Sequence, residues 1–210
     1  MCKLAKAKNR VCTRWLLPAL VILQAGWVTA ATVQVQVFDG AGKPLSDAVA
    51  FLESRETRSA SRPLQGAEMA QVGKQFDPKV LVIPVGTSVQ FPNRDSVRHH
   101  VYSFSPAKPF ELKLYTGTAA NPVVFDKPGV AVFVCNIHDN MTAWVVVVDT
   151  PYFGRSAAPG KVVLANVPAG SYSLRVWHPG LAPGATALEL PLTVTGADAT
   201  ATVRMTGLTQ

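Results

Sequence analysis

Between Thr32 and Met205 no stretch carries apolar residues at helical spacing, whereas short runs rich in β-branched residues recur between turn signals. Thr32-Val33-Gln34-Val35-Gln36-Val37-Phe38 alternates polar and apolar with period two, the pattern of a half-buried strand. A turn at Asp39-Gly40-Ala41-Gly42-Lys43-Pro44 leads to a second strand, Ala48 to Glu53. Fifteen glycines and sixteen prolines supply the breaks. The expectation is an all-β fold of two sandwiches.

Further strands are expected at Val80–Pro84, Ser88–Phe91, His99–Phe104, Phe110–Tyr115, Pro122–Phe125, Ala131–Cys135 and Thr142–Val148, a series suited to a Greek-key sandwich. Beyond Asp149 come Lys161–Leu164, Gly170–Trp177, Leu188–Val194 and Thr200–Met205. The polar, Arg/Ser-rich segment from Ser54 to Gly66 reads as a linker or exposed loop.

The first thirty residues have the layout of a secretory leader. Lys3, Lys6, Lys8, Arg10 and Arg14 precede the apolar run Trp15 to Leu23, and Val28-Thr29-Ala30 fits a small-residue cleavage site. The apolar run is short for a membrane span and contains Pro18, so cleavage, with no membrane attachment afterwards, is expected. The leader holds five of the 20 basic residues and none of the 13 acidic ones, which leaves a net charge of +2. No basic stripe remains to bind nucleic acid. No twin-arginine pair precedes the apolar run; export unfolded to the periplasm, with any metal loaded afterwards, is expected.

Cys2 and Cys12 leave with the leader, so Cys135 becomes the lone thiol in an oxidising compartment. Such a thiol is a liability unless it is buried, catalytic or metal-bound. Cys135-Asn136-Ile137-His138-Asp139-Asn140-Met141 places a thiolate, an imidazole and a thioether within seven residues. A second imidazole is available at His99 or His100. Two His and one Cys in a trigonal plane, with a weak axial Met, is the donor set of a mononuclear copper site. Soft sulfur suits Cu(I) and imidazole suits both oxidation states, and a short loop between strands leaves the ligands little room to relax.

Other chemistries fit less well. Structural zinc prefers paired cysteines and rarely takes Met. A Cys–His nucleophile needs a base placed better than His138, with only two residues between it and Cys135 on a tight turn, and no oxyanion apparatus follows; enzyme activity is not expected. His178 falls at a strand end beside a turn, where a packing role is the commoner one.

The C-x2-H-x2-M spacing of Cys135, His138 and Met141 resembles the short ligand loop of the cupredoxins, in their amicyanin branch. Asn93-Arg94-Asp95-Ser96-Val97-Arg98-His99 resembles the segment carrying their first His ligand. Phe76-Asp77-Pro78, Val85-Gly86-Thr87-Ser88-Val89 and Phe125-Asp126-Lys127-Pro128-Gly129 are similar to other cupredoxin turn and strand signatures. The likeness spans roughly Ala67 to Asp149, of the plastocyanin-like type often labelled methylamine utilization protein. It implies one type 1 copper held by His99, Cys135, His138 and Met141. Successive strand side chains point to opposite faces, so only one of His99 and His100 can be a ligand, and spacing from Asn93 favours His99. Cupredoxins usually place Asn after the first His and a hydroxyl residue after the Cys, bonded across the site. Here His100 and Asn136 occupy those positions, and a His-to-Asn hydrogen bond can take over that link around the ligands.

Asn166-Val167-Pro168-Ala169-Gly170-Ser171-Tyr172 and Gly42-Lys43-Pro44-Leu45-Ser46-Asp47-Ala48-Val49 resemble the turn and opening hairpin of carboxypeptidase-regulatory-like β-sandwiches. An isolated hairpin is marginal in water, so the first two strands need a sheet to join. The expected organisation is a leader over residues 1–30, a discontinuous sandwich from 31–60 plus 155–207, and a cupredoxin domain over 67–150. A competing arrangement puts the first two strands on the copper domain and leaves a separate carboxy-terminal domain.

The function the resemblance implies is that of a periplasmic one-electron carrier whose partner is a c-type cytochrome or a dehydrogenase. A different class also fits: copper storage, or a module that binds carbohydrate or protein through Tyr152, Phe153, Tyr172 and Trp177.

Overall fold

The computed structural model describes residues 30–119 and 121–209; the expected leader, apart from Ala30, lies outside the described residues. Ala30–Asp39 forms the strand its alternation implies, burying Val33, Val35 and Val37 completely. It is the middle strand of a three-stranded sheet, antiparallel to Lys161–Pro168 and parallel to Ala199–Met205. The facing sheet runs in the order Phe153–Arg155, Val49–Glu53, Gly170–Trp177, Leu188–Val194. Leu52, Leu164, Leu174 and Val203 fill the space between them. Each such side chain contributes roughly 1.5–3 kcal/mol by leaving water.

Two local features differ from the sequence expectation. Lys161–Pro168 runs past Leu164, because the ladder shifts register between Ala31 and Val33 and a bulge absorbs the extra residue. Asn166 takes a positive φ of 58° there, a conformation Asn tolerates better than most residues. The second is at Arg55–Ala60, inside the segment read as a linker, which forms a short helix. Ser54 caps it: its hydroxyl accepts the Thr57 N–H, and the Thr57 hydroxyl accepts the Ser54 N–H at 2.9 Å. The apolar periodicity that announces longer helices is absent from five polar residues and an alanine.

The second sandwich has one five-stranded sheet, in the order Phe110–Tyr115, His99–Ser103, Gly129–Cys135, Thr142–Val148, Val80–Pro84. All its pairs are antiparallel except the last, where Thr142–Val148 runs parallel to Val80–Pro84. Short strands, among them Ala70–Val72, Gln75–Asp77, Thr87–Gln90, Pro92–Asn93 and Val123–Phe125, face it. Phe91, Phe125 and Phe133 meet at its centre, with ring centroids 5.7 Å apart for Phe91 and Phe133 and 6.0 Å for Phe125 and Phe133. The fold is thus all-β, with two sandwiches.

A third apolar cluster joins them. Val49, Phe51 and Trp177 pack against Val80, Val146 and Val148. The described residues contain no helix long and apolar enough to cross a membrane.

Candidate metal centre

Gly129–Cys135 and Thr142–Val148 are neighbouring antiparallel strands, and the loop between them carries His138. The loop closes on itself: the Cys135 N–H donates to the Met141 carbonyl at 3.1 Å, and Asn140 turns the chain with a φ of 62°. His99 arrives from the other side, on the strand that pairs with Gly129–Cys135 through Cys135↔Val101. Alternation along that strand turns His99 inward, fully buried, and His100 outward.

His99, Cys135 and His138 converge so that one donor atom from each lies within 4.8 Å of the others. Cys135 Sγ is 3.7 Å from His99 Nδ1 and 3.5 Å from His138 Nδ1. Nitrogen and sulfur held about 2.0 and 2.3 Å from one metal ion, 120° apart, are about 3.7 Å from each other. The spacing therefore fits a trigonal plane around a single ion. Cys135 is a free thiol, 7% exposed. Met141 is buried in the same apolar cluster as Cys135. Of the two imidazoles His138 is the more accessible, and Ile137 beside it is 47% exposed.

The link between His100 and Asn136 takes a different form from the one expected. The Asn136 backbone N–H donates to the His100 carbonyl at 3.1 Å, while the His100 ring lies 2.8 Å from Glu111 Oε1. The outward-facing ring of His100 meets the neighbouring strand before it can reach the loop.

Sequence reasoning missed Asp95. Its Oδ2 lies 2.8 Å from His99 Nε2, and its two oxygens accept the backbone N–H groups of Gly73 and Lys74 at 2.6 and 2.9 Å. Burial raises the Asp95 pKa, but hydrogen bonds from Lys74, His99 and Gly73 outweigh it and hold the carboxyl below its ordinary range. The four-residue separation from His99 was visible, but the fold back onto a hairpin twenty residues upstream was not. Asn93 braces the segment: its amide donates to the carbonyls of Val97 and Tyr115 at 2.8 and 2.9 Å, and its oxygen accepts the Asp95 N–H. Tyr115 lies beneath, its hydroxyl donating to the Phe91 carbonyl at 2.7 Å and accepting the Gln71 amide. Burial is the main cause that pushes its phenol up to about 12, with the negative charge of Cys135 adding to it.

The outer-sandwich aromatics divide between the joining cluster and a half-buried pair, Tyr152 and Tyr172, that lines a cavity with Ser54 and Thr57. Trp177 is buried and Phe153 packs against the joining cluster. Tyr152 and Tyr172 meet edge to face and pack on the outer core. His178 lies outside the converging group, bonded to the Ser46 carbonyl and the Gly180 N–H.

No family model and no curated protein matches the chain. Among solved structures it is similar to a novel purple cupredoxin from Nitrosopumilus maritimus, at 28% identity over 39% of this chain and 99% of that one, with a TM-score of 0.35. It is also similar to a Cu-containing nitrite reductase from Thermus scotoductus SA-01, at 25% identity over 53% of this chain and 28% of that one, TM-score 0.37. A mutant of amicyanin in its oxidized form matches at 18% identity over 47% of this chain and 98% of that one, TM-score 0.37. With TM-scores this low, what the centre can do rests on its own geometry: two imidazoles and one thiol, with His99 and Cys135 buried and His138 half-buried, that can hold a metal ion.

Proposed function

We propose that the protein is an exported type 1 copper protein that carries single electrons between redox proteins. The observation that supports this is the spacing of Cys135 Sγ from the Nδ1 atoms of His99 and His138, 3.7 and 3.5 Å, with His99 and Cys135 buried and His138 half-buried. His99, Cys135, His138 and Met141 would hold the copper, a donor set that accepts both Cu(I) and Cu(II). When bound, the copper supplies the one-electron couple. The residues hold the ligand plane rigid: the strand pair fixes Cys135, the closed loop fixes His138, and the buried strand fixes His99.

Electrons leave by the accessible edge of His138, within a surface that includes Ile137, Asp139 and Asn140. The partner is a periplasmic cytochrome or dehydrogenase, and no substrate bond is made or broken. The copper-binding sandwich interrupts the outer one between Glu53 and Phe153, and the joining cluster holds the two together.

The test is the visible and electron paramagnetic resonance spectrum after Cu(II) addition, beside Cys135→Ala. The expected result is an intense thiolate-to-copper band with narrow hyperfine splitting that the substitution abolishes. No such band, or one the substitution leaves intact, overturns the assignment.

A further inference from the structure

Asp95 is the residue of this region whose contacts the ligand set leaves unexplained. Its carboxylate is an acceptor only, and one oxygen stands 2.8 Å from His99 Nε2. A neutral imidazole carries one ring proton, so a carboxylate at Nε2 draws the proton there and leaves Nδ1 with a free lone pair. Nδ1 is the atom that faces Cys135 Sγ.

The carboxylate is itself held. Gly73 and Lys74, consecutive residues at the turn of the Ala70–Val72 and Gln75–Asp77 hairpin, both have positive φ, 58° and 57°. Successive N–H groups in such a turn converge on one anion, and here they meet the two Asp95 oxygens at 2.6 and 2.9 Å. Asp95 is thereby pinned from the hairpin side, and the His99 ring, fully buried, takes its orientation from it.

We propose that Asp95, pinned by the backbone N–H groups of Gly73 and Lys74, is a positioning residue for the metal centre, holding the His99 proton on Nε2 so that Nδ1 stays bare and directed at Cys135 Sγ. The assignment rests on reading His99 as a ligand. A carboxylate behind a ligating histidine fixes its ring and makes it a stronger donor, and losing such a partner typically weakens metal binding about 10–100-fold. An amide cannot replace it: facing three donors, it offers one acceptor atom and turns its own N–H₂ toward the others.

The experiment is nitrogen NMR of the histidine rings in the metal-free wild-type protein and in Asp95→Asn, followed by copper affinity and reduction potential of both. The expected wild-type result is a His99 ring protonated on Nε2 and bare on Nδ1. In Asp95→Asn, Nδ1–H becomes populated and Cu(II) affinity falls about 10–100-fold. Each tenfold loss confined to Cu(II) raises the potential by about 59 mV, a readout that simple loosening of the hairpin would not move in a fixed direction. A wild-type ring protonated on Nδ1 overturns the proposal without recourse to any variant. So does an Asp95→Asn protein that is less stable yet keeps tautomer, affinity and potential. Failure of the wild type to bind copper while His99 keeps its Nε2–H form counts against the proposed function and leaves the role of Asp95 toward His99 standing.

Discussion

The indole of Trp144 lies 6.5 Å from that of Trp177, one from each sandwich. Lys79 Nζ sits 5.7 Å from the centre of the Trp144 ring, and Trp177 is only 5% exposed. The pair closes the apolar cluster that joins the sandwich bearing His99, Cys135 and His138 to the outer one. Trp177→Ala removes a buried aromatic from that seam and is expected to cost about 3–5 kcal/mol. Because the seam couples two separate cores, chemical denaturation followed by circular dichroism should also broaden or split into two steps. A single transition with unchanged midpoint would show that the cluster does not couple them.

Access to the two imidazoles differs, and this difference has a chemical consequence. His99 is fully buried, whereas His138 is partly open at the loop. In copper-loaded His138→Gly, added imidazole is expected to enter and restore the thiolate-to-copper band; in His99→Gly it is not. Equal restoration in both, followed by titration of the visible spectrum, would contradict the placement of His138 at the accessible edge.

Gly160 is held where no side chain fits. Its φ is 78°, and a Cβ would come within 2.5 Å of the Val37 carbonyl oxygen. The Gly160 carbonyl accepts the Val37 N–H at 2.8 Å, so the backbone cannot move aside freely. Gly160→Ala is expected to lose about 1–3 kcal/mol or more from backbone strain and the clash, measured as a lower urea midpoint. An unchanged midpoint would show that this turn relaxes without disturbing the outer sandwich.

His178 gives the outer sandwich a dependence on pH. Burial lowers its pKa from the ordinary value, against the Ser46 carbonyl and the charge of Asp47, which raise it; Lys79 adds to the lowering. The unfolded chain therefore takes up the proton at a higher pH than the folded one. Stability from this group is complete above about pH 6.5 and declines as pH falls toward the depressed folded value. In His178→Gln that part of the slope should vanish from urea midpoints measured between pH 7 and 5. A slope identical to wild type would assign the acid sensitivity to other groups.

Much of this molecule was written into local sequence. The period-two alternation of Thr32–Phe38 fixed which side chains of that strand are buried, because pleating allows only two faces. The same alternation separated His99 from His100, and the tight spacing of Cys135, His138 and Met141 confined three donors to one strand-to-strand loop. These are short-range facts, set by backbone geometry within a few residues. The helix at Arg55–Ala60 escaped because two side-chain bonds, from Ser54 and Thr57, set it up without an apolar stripe.

Tertiary structure alone decided what stands around those donors. Asp95 reaches His99 because a hairpin twenty residues upstream supplies two N–H groups that pin it, and His100 turns to Glu111 because the neighbouring strand brings that carboxylate within reach. The parallel pairing of Ala30–Asp39 with Ala199–Met205 joins segments more than 160 residues apart in sequence. Hydrogen-bond partners of this kind are chosen by which surfaces the whole chain brings together, and even for residues as near in sequence as Asp95 and His99 the spacing alone does not say which way each side chain turns.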